Sequence, residues 1–447
     1  NVKKKEMAPD GGKDVNVFDI EQGVAIGLFV RAHLGSHDVT EARVQHADLW
    51  GERCDKYDWL LNRNVLQTAW TQVDAIGPFF LFEPFENRNA GGYFKWHAIN
   101  QVMPTNSVGI VTSRDSFVTD YDRSTLTKRI ADFVSSTATD AAIRQKYLSG
   151  KDKLSVQEAR SALRKEKNLK ANVQPLLYRP FDRRWVFYHK AVIERSRLEA
   201  MPHLLAGYNI AIITARSNKF PDPDHFFASR TIVETKCGES STQSATFPLY
   251  LYPGIGKSDG ALFCAWPKGK DGRRPNVDPD FVQTVGRSAG MRFKSDGGGD
   301  LDDTCVPEDV LAYIYTVFHS PEYRRRFEPM LKLDFPRVPI PASSRPLADL
   351  VQIGHDLLGL HLLESPRLDK SITKLIGPVN PKVEKVSYTA DDQTVWLDKA
   401  QTRGFVGVPE EVWNFHIGGY QVCEKWLKDR QAKGGKNPRP GRILTDE

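Results

Sequence analysis

Residues 16–32, NVFDIEQGVAIGLFVRA, constrain the fold of this chain more than any other stretch. The run is nearly continuous in apolar side chains, with glycines only at Gly23 and Gly27, and is rich in Val and Ile. That pattern predicts a buried strand entered from a short turn, one that needs cover on both faces. The run is shorter than the roughly 20 residues that cross a bilayer, and no other stretch approaches that length, which excludes an integral membrane protein. The chain has 447 residues, of which 40% are hydrophobic, enough to bury sizeable cores and too many for wholesale disorder. At roughly 100–200 residues per domain, two to four domains are expected.

The five cysteines (Cys54, Cys237, Cys264, Cys305, Cys423) form no C-x-x-C pair. A disulfide framework and a zinc knuckle are therefore not suggested, and a reducing, cytoplasmic setting is expected. Position 1 is Asn, the first residues run through Lys3, Lys4 and Lys5, and the chain stops in polar sequence between Gly441 and Glu447. These ends read as those of a piece of a longer polypeptide.

Along the chain, residues 40–72 have helical spacing around Trp50, Tyr57, Leu60 and Leu61. The aromatics of 78–96 (Phe79, Phe80, Phe82, Phe85, Tyr93, Phe94, Trp96) read as core. Residues 106–115 form a short strand ending in a polar loop, and 122–168 look helical throughout. The dense charge of 152–170 predicts a solvated bridge between two packed units. Strands are expected at 185–188, 210–214, 231–233 and 247–252. The Gly-, Pro- and Asp-rich residues 252–299 read as loops. Helices follow at 307–318, 321–330 and 347–363, then a hairpin of 383–388 with 394–397, and a last helix at 420–430.

Charge is distributed unevenly. Residues 151–240 hold 17 Lys and Arg against 10 Asp and Glu, a balance of +7 in a chain whose total is +6. Many of these cations stand beside aromatics or at strand ends, as phosphate contact and Arg-to-guanine readout require. The alternative for the cluster at 179–197 is structural ion pairing with Asp182, Glu194 and Glu199.

Three catalytic lookalikes are weak. Gly254-Ile-Gly256-Lys257-Ser258 ends like a P-loop, but Leu251 stands where the first glycine belongs. Asp224 with Glu234 and Lys236 has the outline of a Mg2+ nuclease, two carboxylates for the metal and a lysine for the attacking water. His189, His203 and His225 share a region without the spacing of a zinc site. An Asn-Pro-Pro-Tyr loop and a Gly-rich cofactor loop after a strand are both missing.

One family resemblance runs through nearly the whole chain. Leu177-Tyr-Arg-Pro-Phe-Asp-Arg-Arg184, with Tyr188 and Arg195-x-Arg197, resembles the start of the specificity region of type ISP restriction–modification enzymes. Thr214-Ala-Arg216, Phe247-Pro-Leu-Tyr-Leu-Tyr-Pro253, Leu311-Ala-Tyr-Ile-Tyr315, His319-Ser-Pro321 and Asp334-Phe-Pro-Arg-Val-Pro339 follow in order. So do Gly407-Val-Pro-Glu-Glu-Val-Trp413, Ile417-Gly-Gly-Tyr-Gln421 and Lys425-Trp-Leu-Lys-Asp-Arg430. Upstream, residues 18–26 and 106–115 resemble the end of that family's adenine methyltransferase domain.

The resemblance implies an α/β fold: the tail of a Rossmann-like methyltransferase domain (1–120), a helical connector (121–172), and a mixed α/β target recognition domain (173–447) with a helical C-terminal part. It implies sequence-specific recognition of double-stranded DNA, directing adenine-N6 methylation and cleavage by a bacterial, phage-defence parent. The parent would use S-adenosylmethionine, ATP and Mg2+; this chain itself would hold no cofactor, metal or catalytic residue. The expected partners are duplex DNA and the missing N-terminal domains of the same polypeptide, with no membrane and a monomeric state. The DNA-binding residues expected are Arg179, Arg183, Arg184, Arg195, Arg197, Arg216, Lys219 and Arg230, with Tyr178 and Asp182 organising the loop. The alternatives are the Asp224/Glu234/Lys236 nuclease and the recognition part of a non-cleaving defence methyltransferase.

Overall fold

A computed structural model describes residues 7–30, 42–75, 77–84, 90–220, 223–255, 266–431 and 442–444. The chain divides into two compact units, Asn1–Lys95 and Trp96–Glu447.

The first unit is sparsely built. Strand β1 (Val44–His46) pairs antiparallel with β2 (Thr71–Val73), and one helix spans Arg53–Asn62. That helix is pinned by Lys56, which is buried and donates to Asp14 and to the carbonyl of Val15. The strand expected at 16–32 does not form in its described part, residues 16–30, and Phe29 and Val30 are 84% and 93% exposed. The reason is physical: an apolar run becomes a strand only when other strands satisfy its backbone groups. Among the described residues this unit has no parallel sheet, so a Rossmann-like tail is not visible in it. The aromatic cluster is split too, Tyr93 being buried while Phe80 and Phe82 are exposed.

The second unit is mixed α/β with several small sheets, two of which carry the basic stretch. Strands β3 (His97–Ala98), β4 (Ser107–Val108) and β5 (Thr119–Asp120) precede a hairpin of β6 (Val173–Arg179) and β7 (Asp182–Phe187). After it come β8 (Ala211–Ala215), β9 (Phe226–Ser229), β10 (Ile232–Val233) and β11 (Ser244–Pro248). One sheet has the order β10-β6-β7-β5, with β10 and β6 parallel; the other has the order β4-β11-β8-β9 and is antiparallel throughout. Residues 107–111 bridge the two sheets: β4 pairs with β11, and Ile110 then bridges Glu234 just beyond β10. Gly109 makes that crossing possible, because a Cβ there would stand 2.6 Å from the backbone of 233–235.

The helices Arg123–Ser135, Asp140–Tyr147 and Val156–Arg164 cover the first sheet, each started by a side-chain cap from Asp122, Thr139 and Ser155. Their Leu126, Ile130, Phe133, Ile143, Ala159 and Leu163 join Leu176, Val186, Phe187, Ile232 and Val233 in one core. Each such large apolar side chain contributes about 1.5–3 kcal/mol on burial. Here the structure departs from the solvated bridge expected at 152–170: Val156, Ala159 and Leu163 of the helix Val156–Arg164 are part of the core, and Arg160 is buried beside them, paired with Asp140.

The helices Pro307–His319, Pro321–Leu333 and Ser344–His361 stand where the pattern predicts them. The first and third approach closely at Gly354, where a Cβ would meet the Ala312 carbonyl at 2.1 Å. A helix at Pro279–Ala289 lies inside the stretch read as loops. The expected hairpin is present as Ser387–Thr389 with Thr394–Trp396, inside a four-stranded sheet that also holds Lys374–Ile376 and Gly404–Val406. The helix Val422–Arg430 follows. Among the described residues no helix is long and apolar enough to cross a membrane.

Candidate nucleic-acid interface

The β6–β7 hairpin turns on two residues, Pro180 and Phe181, the latter at φ +57°. Arg179 at the end of β6 donates from Nη1 to Glu234 Oε2 at 2.6 Å, and its guanidinium lies 4.1 Å from the Tyr178 ring centre. Burial pushes the Glu234 carboxyl up, against the pull of Arg179. Arg184 gives Nε and Nη2 to Asp182 Oδ2 at 3.0 and 2.6 Å, and Nη2 also reaches Asp429 at 2.9 Å. Arg430 takes the other oxygen of Asp182 at 3.1 Å. Asp182 is fully buried, so two arginines and one carboxylate clasp the hairpin to the C-terminal helix. Arg184 also lies 3.6 Å over Tyr178 and 4.4 Å over Tyr121. These are structural ion pairs in a water-poor setting, not a surface open to a partner.

The remaining expected DNA-binding residues separate into two groups. Arg230 forms a two-pronged pair with Glu364 at 2.7 and 3.0 Å, and Arg216 pairs with Asp334 at 2.9 Å while staying exposed. Arg183 donates to the Leu362 carbonyl at 2.6 Å, and Lys219 reaches only the Ser241 carbonyl at 3.4 Å. Arg195 and Arg197 have no side-chain partner among the described residues. Arg195 is exposed and held by its backbone, which exchanges hydrogen bonds of 3.0 and 3.1 Å with Val111. Arg197 adopts φ +54°, and its Nε is buried without a partner. Tyr188 fixes the loop between them by donating to the Ser196 carbonyl.

Val111 is also one wall of an open cleft of about 570 Å³. Thr112, Ser113, Ser116, Ser149 and Thr235 add hydroxyls to it, and Lys236 an ammonium. Sequence reasoning placed Lys236 both at a basic strand end suited to phosphate and in the alternative nuclease, and left Ser113 and Ser149 unremarked; nothing in their spacing signals that they meet.

The nuclease residues have separate neighbours. Glu234 accepts from Arg179 and from the Lys236 N–H, whereas Asp224 interacts with Arg324 and keeps a buried Oδ1 with no hydrogen bond. Among the described residues no three His, Cys, Asp or Glu side chains stand together as a metal site requires. His189 meets Glu166, His203 accepts from the Tyr252 N–H, and His225 meets Ser244. Of the P-loop lookalike, Gly254 sits in a turn, and Gly256, Lys257 and Ser258 lie outside the described residues.

Residues 101–440 match the family described as the Type ISP C-terminal specificity domain. The chain belongs to that family. Solved structures with a similar fold include a nuclease-deletion mutant of the Type ISP restriction-modification enzyme LlaGI in complex with a DNA substrate mimic. It has a TM-score of 0.58 and 16% identity, covering 92% of this chain and 31% of that one. The DrdV–DNA complex has a TM-score of 0.56 and 19% identity, covering 87% and 38%. The Type ISP enzyme LlaBIII bound to DNA has a TM-score of 0.59 and 14% identity, covering 82% and 23%. The chain thus spans less than two-fifths of the length of each. No curated protein matches it. The stretch matched to the Type ISP specificity domain contains the hairpin and its clasp, the 195–197 loop and the cleft.

Proposed function

We propose that this Type ISP specificity domain recognises a specific sequence in double-stranded DNA on behalf of a larger restriction–modification enzyme. The parent would methylate adenine N6 with S-adenosylmethionine and cleave with ATP and Mg2+. Residues 173–447, with the helices between 123 and 164 that share their core, would be the recognition part. Residues 1–95 would be the tail of a methyltransferase domain, with their apolar run at 18–30 exposed.

The observation that carries this reading is the unpaired loop. In a stretch whose other arginines have protein partners, Arg195 and Arg197 have none among the described residues, while the protein holds their backbone rigid. Cations fixed in place without counterions suit a polyanion. The DNA-bound state of the three structural neighbours agrees with it. Changing Arg195 and Arg197 together to Ala should weaken duplex binding and lower the slope of log K against log salt by about 2, one for each phosphate no longer neutralised. Fluorescence anisotropy across a salt series reads this. Unchanged affinity and slope would overturn the assignment of this loop to DNA.

A further inference from the structure

We infer that the cleft beside Val111 holds a phosphodiester of the DNA backbone, with Lys236 supplying the charge. The inference rests on the DNA reading above and assigns a contact on the far side of the Val111–Arg195 bridge, on the segment that follows β10.

The first support is the state of the carboxylates. Asp152 accepts from Arg114 Nε and Nη2 at 2.9 and 3.1 Å. Glu234 accepts from Arg179 at 2.6 Å and from the Lys236 N–H at 2.7 Å. Asp115 accepts from Tyr178 Oη at 2.6 Å and from the hydroxyl of Thr112. Each acidic group in the cleft already has its donors.

What remains unengaged among the described residues is donor-rich. It comprises the Lys236 ammonium, the hydroxyls of Ser113, Ser116 and Ser149, and the Thr235 hydroxyl, which is buried and without a hydrogen bond. A site with spare donors and a spare cation, whose acceptors are occupied, suits an anion with several acceptor oxygens.

The second support is backbone geometry. Ser113 at φ +58° and Arg197 at φ +54° are non-glycine residues in the left-handed region, one on each of the two segments joined by the Val111–Arg195 bridge. Such conformations persist only where the surrounding structure enforces them, and they gather at ligand sites. The Val111–Arg195 bridge ties the cleft wall to the arginine loop through two backbone hydrogen bonds.

The chemistry is shared by a free phosphate, and the test separates the two sources. The 447-residue chain, with Lys236→Gln and Lys236→Arg variants, is titrated with a duplex of arbitrary sequence across a salt series, and separately with inorganic phosphate followed by 31P line width. The expected result is that Lys236→Gln weakens binding several-fold on any duplex and lowers the salt slope by about 1, whereas Lys236→Arg keeps the slope. The urea midpoints of the variants should match that of the parent chain. If the parent chain binds duplex and Lys236→Gln binds equally well with the same slope, the cleft assignment is overturned and the DNA reading stands. If the parent chain binds no duplex, both fall, and phosphate binding that depends on Lys236 would then make this a free-phosphate site.

Discussion

Arg184 and Arg195 are close in sequence, yet the β6–β7 hairpin and the 195–197 loop use the same side chain in opposite ways. In the hairpin the guanidinium of Arg184 is nearly buried, two carboxylates neutralise it, and two tyrosine rings enclose it. In the loop only the backbone is satisfied, and the guanidinium of Arg195 faces solvent. A cation taken out of water must have its partner inside the protein; one left in water can wait for a partner from outside. The basic stretch is thus two devices, one holding the fold and one presenting charge.

Removing the counter-charge of the buried device should have the largest effect. Asp182→Ala leaves Arg184 and Arg430 short of their shared carboxylate and should cost about 3–5 kcal/mol, read as a lower urea midpoint. A loss within about 1 kcal/mol would mean that the clasp does not hold the hairpin.

Acidification should act next, through buried histidines that belong to neither region. Burial pushes His319 down to about 3, with Arg324 adding to it, and His361 down to about 4 by the same two causes. His203 is also pushed down to about 4 by burial. The unfolded chain takes up these protons near the ordinary value of about 6.5, and the folded chain only near 3–4. Stability is therefore intact above about pH 6.5 and falls as pH drops towards 4, by up to about 1.4 kcal/mol per pH unit for each histidine. A His361→Gln variant should show a shallower fall of urea midpoint with pH.

The loop predicts almost nothing for stability. Arg195→Ala with Arg197→Ala should leave unfolding free energy within about 0.5 kcal/mol while duplex affinity falls, which is the reverse of the Asp182 result. Of similar size is Arg216→Ala, which breaks an exposed pair with Asp334 and should cost roughly 0.2–1 kcal/mol. If Arg216→Ala lowers duplex affinity as much as the loop variant, the presenting device extends beyond residues 195–197.

The helices at Pro307–His319 and Ser344–His361 were legible because each carries its own apolar periodicity and starts after a turn signal. The helix at Pro279–Ala289 was hidden by composition, although its signals are local. Asp278 caps it, Pro279 opens it, Gly290 closes it at φ +68°, and Phe281, Val282, Val285 and Ala289 form its buried face. A strand at 16–32 was legible as a pattern but not as a structure, since a strand depends on neighbours that periodicity does not supply.

The stretch of excess charge was legible, but its division into bound and free arginines was not. The partner of Arg179 is 55 residues away, that of Arg230 is 134 away, and Asp429 is 245 from Arg184. Pairings over such distances are set by topology. Of the three acids that local sequence offers, Asp182 does pair with Arg184 two residues away, whereas Glu194 and Glu199 take no part in ion pairs among the described residues.

The clasp also has a consequence in time. Asp182 meets Arg430 across 248 residues of chain. At roughly 5–20 residues per second of synthesis, the hairpin emerges some 12–50 s before the helix that closes over it. During that interval Tyr178, Tyr121 and the end of β7 lack their lid. The clasp therefore closes only once the helix Val422–Arg430 has emerged, and a nascent chain stalled before residue 429 would expose the Asp182 carboxylate to water and to chaperones.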